Sequence, residues 1–168
     1  TFKSTGEKFE TSGMITEPGL YQLSIKDSQQ KLMIFLDASN ITIEGDLLVL
    51  QNAKVTGSKS HDDFALFNLT FNPLFAKLSS FAQKLNSGDK DVDGAIRKSY
   101  SEVASEVNTK TDEYINAHNN SPVAPFALLV MMQLNDDPAV MEQRLSKITE
   151  EAKMNYFGKS ALKLVEDA

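Results

Sequence analysis

The most constraining feature of this sequence is a change in hydrophobic period around Gly57. Before it, apolar residues occur in short runs broken by glycine, asparagine and aspartate; after it, they recur every three or four residues. Short runs are typical of strands, and the longer period is typical of one face of a helix. A chain of 168 residues is long enough to bury a large core. We therefore expect one α+β domain over residues 1–168, with a β-sheet part at 1–57 and a helical part at 58–168.

The β-sheet part is predicted to be an antiparallel meander that forms a small sheet or a sandwich. Residues 2–4 and 8–15 flank a glycine-containing turn and predict a first hairpin. Short turns join the later runs, so their strands must be antiparallel neighbours. The run after Lys31 is continuously apolar, which predicts a central strand covered on both faces. The remaining predicted strands are 20–25, 31–36, 41–46, 47–50 and 53–56.

The helical part is predicted to open with a long antiparallel helix pair joined by a short connection. The first helix follows Gly57, and Ser58 or Ser60 is expected to cap its amides. Pro73 lies inside its apolar stripe, where we expect a kink. The second helix is predicted at about 92–118. Three more helices are expected: one at 123–134, one capped by Asp137 with Pro138 at its first position, and one at 159–165.

Residues 89–100 resemble a calcium loop, because Asp89, Asp91 and Asp93 precede Gly94 at the spacing of an EF-hand. However, Tyr100 occupies the position of the bidentate carboxylate, and Arg97 adds a cation to the ligand set. An acidic helix start explains the same residues and is favoured.

Other patterns have structural explanations that are favoured over functional ones. The segment Gly57-Ser58-Lys59-Ser60 lacks the glycine spacing of a phosphate loop, so a helix cap is favoured. His61 and His118 are the only histidines, and no zinc motif surrounds them. A Ser-His-Asp arrangement stays open, although no nucleophile elbow is present. The aromatic residues are expected to be core, and this includes Tyr21, Tyr100 and Tyr114. It also includes an array of phenylalanines at helical spacing, which are Phe64, Phe67, Phe71, Phe75 and Phe81.

Composition excludes several functional classes. The net charge is −6, and the 17 basic residues are scattered among 23 acidic ones, which argues against a nucleic-acid-binding surface. The chain has no cysteine, so it carries neither disulfides nor thiol chemistry. Its longest apolar stretch, at 123–134, is too short to span a bilayer. The sequence therefore predicts no catalytic residue, no cofactor and no metal site.

Five segments, in order, carry a resemblance to a known family. They are Glu7-Lys8-Phe9-Glu10, Glu17-Pro18-Gly19-Leu20-Tyr21, Ile41-Thr42-Ile43-Glu44-Gly45-Asp46, Ala53-Lys54-Val55-Thr56-Gly57-Ser58 and Asn120-Ser121-Pro122-Val123-Ala124. With this order and spacing, the chain resembles the domain of uncharacterised function that precedes a thioredoxin-type domain in envelope thiol-disulfide oxidoreductases of the Bacteroidetes.

The resemblance implies a non-catalytic accessory or interaction domain in the periplasm or cell envelope. Its covalently linked partner would be a downstream thioredoxin-type domain that carries the Cys-x-x-Cys pair, and any membrane contact would come from a lipid anchor outside this segment. We expect no enzymatic activity from the segment alone. A homodimer and a protein or peptide substrate stay open. The alternatives are a stand-alone envelope binding protein for a peptide or small ligand and, less favoured, a calcium-binding module.

Overall fold

The strands form two separate antiparallel pairs in the computed structural model, which describes residues 10–26, 28–85, 89–134 and 137–167. Strand β1 (Gly19–Ser24) pairs with β2 (Lys31–Leu36), and Leu20 lies opposite Phe35. Strand β3 (Thr42–Glu44) pairs with β4 (Lys54–Thr56), and Ile43 lies opposite Val55. We call these four strands the strand layer. The antiparallel pairing is confirmed, but no ladder in the described residues joins the two pairs into one meander.

The predicted strand at 47–50 is wrong. Residues Leu47–Asn52 form a 3₁₀ turn, because the Asp46 side chain accepts the Leu48 amide at 2.8 Å and starts a helical turn instead of an extended run. Only Leu50 of this turn is buried, while Leu47 and Leu48 are exposed. The predicted first hairpin falls mainly on residues 1–9, outside the described ranges, and residues 10–15 carry no strand.

Five α-helices follow the strands within the described ranges. They are α1 (Lys59–Lys84), α2 (Lys90–Ala117), α3 (Ala124–Met131), α4 (Pro138–Leu145) and α5 (Tyr156–Glu166), with a 3₁₀ turn at Ala152–Met154 before α5. We call them the helical layer. Helix α1 continues through Pro73. None of the helices described here is both long enough and apolar enough to cross a lipid bilayer.

Phe35 connects the strand layer to the helical layer. Its side chain is 0% exposed, and its ring lies 6.2 Å from Phe64 of α1, 6.5 Å from Phe126 of α3 and 6.1 Å from Phe157 of α5. We call these four rings the aromatic contact. The neighbouring residues Leu32 and Ile34 belong to a second apolar cluster, together with Leu50. Strand β2 is therefore covered on both faces, as its apolar run predicts, even though it pairs with β1 alone among the described strands.

Candidate functional site

The first polar cluster lies where the strand layer meets α1. Asp37 follows β2, and its carboxylate accepts from the Ser58 hydroxyl at 2.9 Å and from the Ser60 amide at 3.4 Å. Ser58 in turn accepts the His61 amide at 3.0 Å, so it is the N-cap of α1. We call Asp37, Ser58, Ser60 and His61 the joint. The predicted serine cap is confirmed, and the unpaired first amides of α1 are shared between Ser58 and Asp37.

Hydrogen bonding favours the ionised form of Asp37. Burial alone would raise its pKa, but hydrogen bonds from Ser39, Ser60 and Ser58 lower the pKa below the ordinary aspartate value. A carboxylate at the N-terminus of a helix also gains from the helix dipole. The Asp37 carboxylate, which follows β2, is therefore a negatively charged hydrogen-bond acceptor that connects β2 to the start of α1.

Replacement of Asp37 by asparagine should lower the free energy of unfolding by about 0.3–1 kcal/mol at neutral pH, since the negative charge near the N-terminus of α1 is lost. The folded pKa is lowered, so the contribution is complete above the unfolded pKa of about 4 and disappears as the pH falls through the folded pKa. Urea denaturation of both proteins at several pH values measures this. A difference that stays constant down to about pH 2 would contradict the role of the charge.

His61 makes the second connection within the joint. Its Nδ1 accepts the Phe35 amide at 3.3 Å, and its ring lies 6.0 Å from the Phe64 ring. The side chain is buried. Burial lowers the pKa of His61, and the nearby Asp62 carboxylate offsets only part of this effect. The imidazole is therefore neutral, and the lone pair on Nδ1 accepts the hydrogen bond from the Phe35 amide of β2.

A second polar cluster connects the start of α1 to the end of α2. Asp63 is buried, and its carboxylate accepts from Lys59 Nζ at 3.2 Å and contacts His118 Nδ1 at 3.0 Å. The Tyr114 hydroxyl donates to the Asp63 main-chain oxygen at 2.8 Å, and the Tyr114 ring stacks on His118 with centroids 4.7 Å apart. We call these four residues the helix-pair cluster. Burial, followed by the Asp63 charge, raises the pKa of Tyr114 far above its ordinary value.

The helix-pair cluster has two of the three parts of a hydrolase triad. Asp63 contacts Nδ1 of His118, as in such a triad, and His118 helps to line a groove of about 250 Å³ together with Leu66, Thr70 and Tyr114. Among the described residues, no serine or threonine hydroxyl is hydrogen-bonded to the His118 ring. The bonds that are present join α1 to α2, so the cluster has a clear structural role.

Replacement of Asp63 by alanine should destabilise the fold by about 1–3 kcal/mol, because the His118 ring loses its charged hydrogen-bond partner. The Lys59 pair contributes little, since the lysine is exposed. Asp62 is the matched control, because it is the next residue, carries the same charge and is exposed. Its replacement by alanine should cost less than about 1 kcal/mol, the usual limit for an exposed charge near a helix N-terminus. If urea denaturation gave equal losses in the free energy of unfolding for Asp63→Ala and Asp62→Ala, the structural role of the Asp63 carboxylate would be contradicted.

The calcium-loop residues form a helix start, as the favoured explanation predicts. Asp89 caps α2, and its side chain accepts the amides of Asp91 at 2.9 Å and Val92 at 3.3 Å. Asp91 and Asp93 lie inside the first turns, where residues two apart point in widely different directions. Their carboxylates therefore do not converge with Asp89 as an EF-hand loop requires. No metal-ligating group of three or more acidic, histidine or cysteine side chains occurs in the described part of the chain.

The remaining sequence expectations are mostly confirmed. The segment Gly57–Ser60 is a helix cap, with Ser58 as the capping residue. Phe64, Phe67 and Phe71 are buried core residues, as is Tyr114. The expectation for Tyr21 is wrong, because its side chain is 41% exposed on β1, which has one strand neighbour among the described residues.

A half-buried ion pair was not anticipated from the sequence. Arg144 of α4 is buried, and its Nε donates to Asp112 Oδ1 of α2 at 2.9 Å. Its Nη2 donates to the main-chain oxygen of Asn108 at 3.1 Å. These residues are far apart along the chain, so no local pattern could have paired them. These contacts stabilise the packing of α4 against α2.

Comparison with known proteins places one match on the strand layer. The family described as "Domain of unknown function (DUF4369)" matches residues 1–64. These residues include β1–β4, the joint and the first turn of α1. No curated protein and no solved structure matches the chain. The match supports the expectation of a domain of unknown function.

Proposed function

We propose that this segment is the non-catalytic accessory domain of an envelope thiol-disulfide oxidoreductase. The observation that carries the proposal is the family match over residues 1–64, which covers four of the five segments of the resemblance in full. Only the segment at 120–124 lies outside the match. The proposed location is the periplasm or the cell envelope, and the proposed partner is a covalently linked thioredoxin-type domain.

A non-catalytic role agrees with how the polar residues are used. The joint connects β2 to α1 through hydrogen bonds, and the helix-pair cluster connects α1 to α2 in the same way. The bonds from Ser58 to Asp37, from Phe35 to His61 and between Asp63 and His118 all connect different parts of the fold. The chain also has no cysteine, so thiol chemistry must come from another domain. We therefore assign this segment the task of presenting a substrate or positioning the redox domain.

The first test is the parent reading frame, which should encode a thioredoxin-type domain with a Cys-x-x-Cys pair downstream of residue 168. A stop codon without such a pair would refute the proposal. The second test compares the parent with a form that lacks residues 1–168. We expect reduction of a small disulfide reagent to be unchanged and the KM for a protein disulfide substrate to rise, because only the second depends on substrate presentation. Identical KM values would contradict a role in substrate presentation.

A groove favours a second candidate, the stand-alone binding protein. A cavity of about 300 Å³ lies between α1, α2 and α3 and is lined mainly by apolar residues, among them Phe75, Leu78, Tyr100, Val130 and Leu134. Ligand pockets are commonly of this size and character. An apolar fluorescent probe should bind to the wild type and fail to bind after Ala82→Trp, which fills the groove. Equal probe binding by both proteins would exclude this groove as the site.

A further inference from the structure

His61 lies between β2 and α1 in a position that requires a neutral ring. The Phe35 amide donates to Nδ1, and an imidazolium has a hydrogen on that nitrogen and cannot accept. The side chain is 8% exposed and lies beside the Phe64 ring. A proton on His61 would therefore remove the bond to β2 and place a charge next to the aromatic contact.

We propose that His61 is an acid-sensitive latch, in which one proton taken up at Nδ1 releases β2 from α1 and exposes the aromatic contact to solvent. The bond that breaks is the hydrogen bond from the Phe35 amide to Nδ1, and the proton comes from solvent. The ring of Phe35, with its three partners on α1, α3 and α5, would then be open to water or to a partner.

The charges on α1 do not neutralise a protonated His61. Asp62 follows it in the chain, and its carboxylate favours the protonated ring without a hydrogen bond to it. Asp63 is held by Lys59 and His118. Among the described residues, no carboxylate is hydrogen-bonded to the His61 ring.

The other packed elements offer no counter-charge either. After β2, Asp37 is bonded to Ser58 and to Ser60. On β4, Lys54 is exposed and lies opposite Glu44. Helices α3 and α5 contribute phenyl rings to this region through Phe126 and Phe157. A charge on His61 therefore remains poorly compensated.

The direction of the pH effect follows from the pKa of His61, which burial lowers below the ordinary histidine value. The unfolded or released ring has a pKa of about 6.5. Above that pH, the hydrogen bond from the Phe35 amide to His61 makes its full contribution to the free energy of unfolding. This contribution is lost as the pH falls below about 6.5 and through the lower folded pKa. Between the two values, the released fraction should grow by up to about tenfold per pH unit, because one proton is bound on release.

Amide hydrogen exchange, corrected for intrinsic rates, tests the latch between about pH 7.5 and about pH 5. We expect protection of the β2 amides, including Phe35, to fall by up to about tenfold per pH unit below about pH 6.5. The α2 amides from Val107 to Ile115 should keep their protection. In His61→Asn, Oδ1 can replace Nδ1 as the acceptor and cannot be protonated, so the pH response of β2 should disappear. His118→Asn, which removes the other histidine, should keep the wild-type response.

Two results would overturn the proposal. One is an unchanged pH response of β2 in His61→Asn. The other is a His61 ring that titrates in the folded wild type at or above about pH 6.5, measured from its imidazole NMR signals. The second measurement needs no variant, so it decides the matter even if His61→Asn does not fold.

Discussion

Replacement of Phe35 by alanine is expected to lower the free energy of unfolding by about 3–5 kcal/mol, the range for a fully buried phenylalanine. Its ring is 0% exposed and contacts rings on α1, α3 and α5. The substitution would leave a cavity between the strand layer and the helical layer. Urea denaturation followed by far-UV circular dichroism measures the loss.

Met33→Ala is the matched control for Phe35→Ala. Met33 lies two residues away on the same strand, so its side chain emerges on the same side of the backbone, but it is 41% exposed. It should cost about 1–2 kcal/mol, less than Phe35→Ala, because 41% of its surface is already in water. If Phe35→Ala cost no more than Met33→Ala, β2 would not share its interior with the helices.

Gly57→Ala should destabilise the fold by at least about 2 kcal/mol, because Gly57 has a φ of +95° and a side chain there costs about 1–2 kcal/mol. An added Cβ would also overlap the main-chain oxygen of Asn40, so the backbone would have to move. The change falls at the turn into the joint, and thermal and urea denaturation should both report it.

Gly94→Ala is the control for Gly57→Ala. An added Cβ at Gly94 meets nothing within 4 Å, and the residue lies in the first turns of α2. Alanine should therefore stabilise the helix by about 0.5–1 kcal/mol. Opposite signs for the two substitutions are expected. A neutral Gly57→Ala would show that this turn does not set the entry into α1.

The sequence predicts elements well where one local signal dominates. A serine at 58 or 60 before an apolar stripe correctly locates the start of α1, and Asp137 with Pro138 correctly locates the start of α4. The wrong prediction of a strand at 47–50 also comes from a local signal, one that the apolar run concealed. Asp46 accepts the Leu48 amide, and this short-range bond outweighs the apolar run that favours a strand.

The polar clusters could not be assembled from the sequence, because their contacts join residues far apart along the chain. His61 and His118 are recognisable as the only imidazoles, but nothing local pairs His61 with Phe35 or His118 with Asp63. Those pairings follow from how β2 packs on α1 and how α1 packs on α2. Tertiary packing sets them, and a single sequence carries no direct signal of it.

The central claim is that the strand layer and the helical layer share one interior, and unfolding measured residue by residue tests it most directly. Urea denaturation at about pH 7.5, where His61 is neutral, should be followed by the NMR signals of β2 amides and α3 amides. The account predicts one common midpoint for Ile34 and Leu128, because loss of the aromatic contact disrupts both layers. Separate midpoints, with β2 unfolding while α3 stays folded, would contradict it.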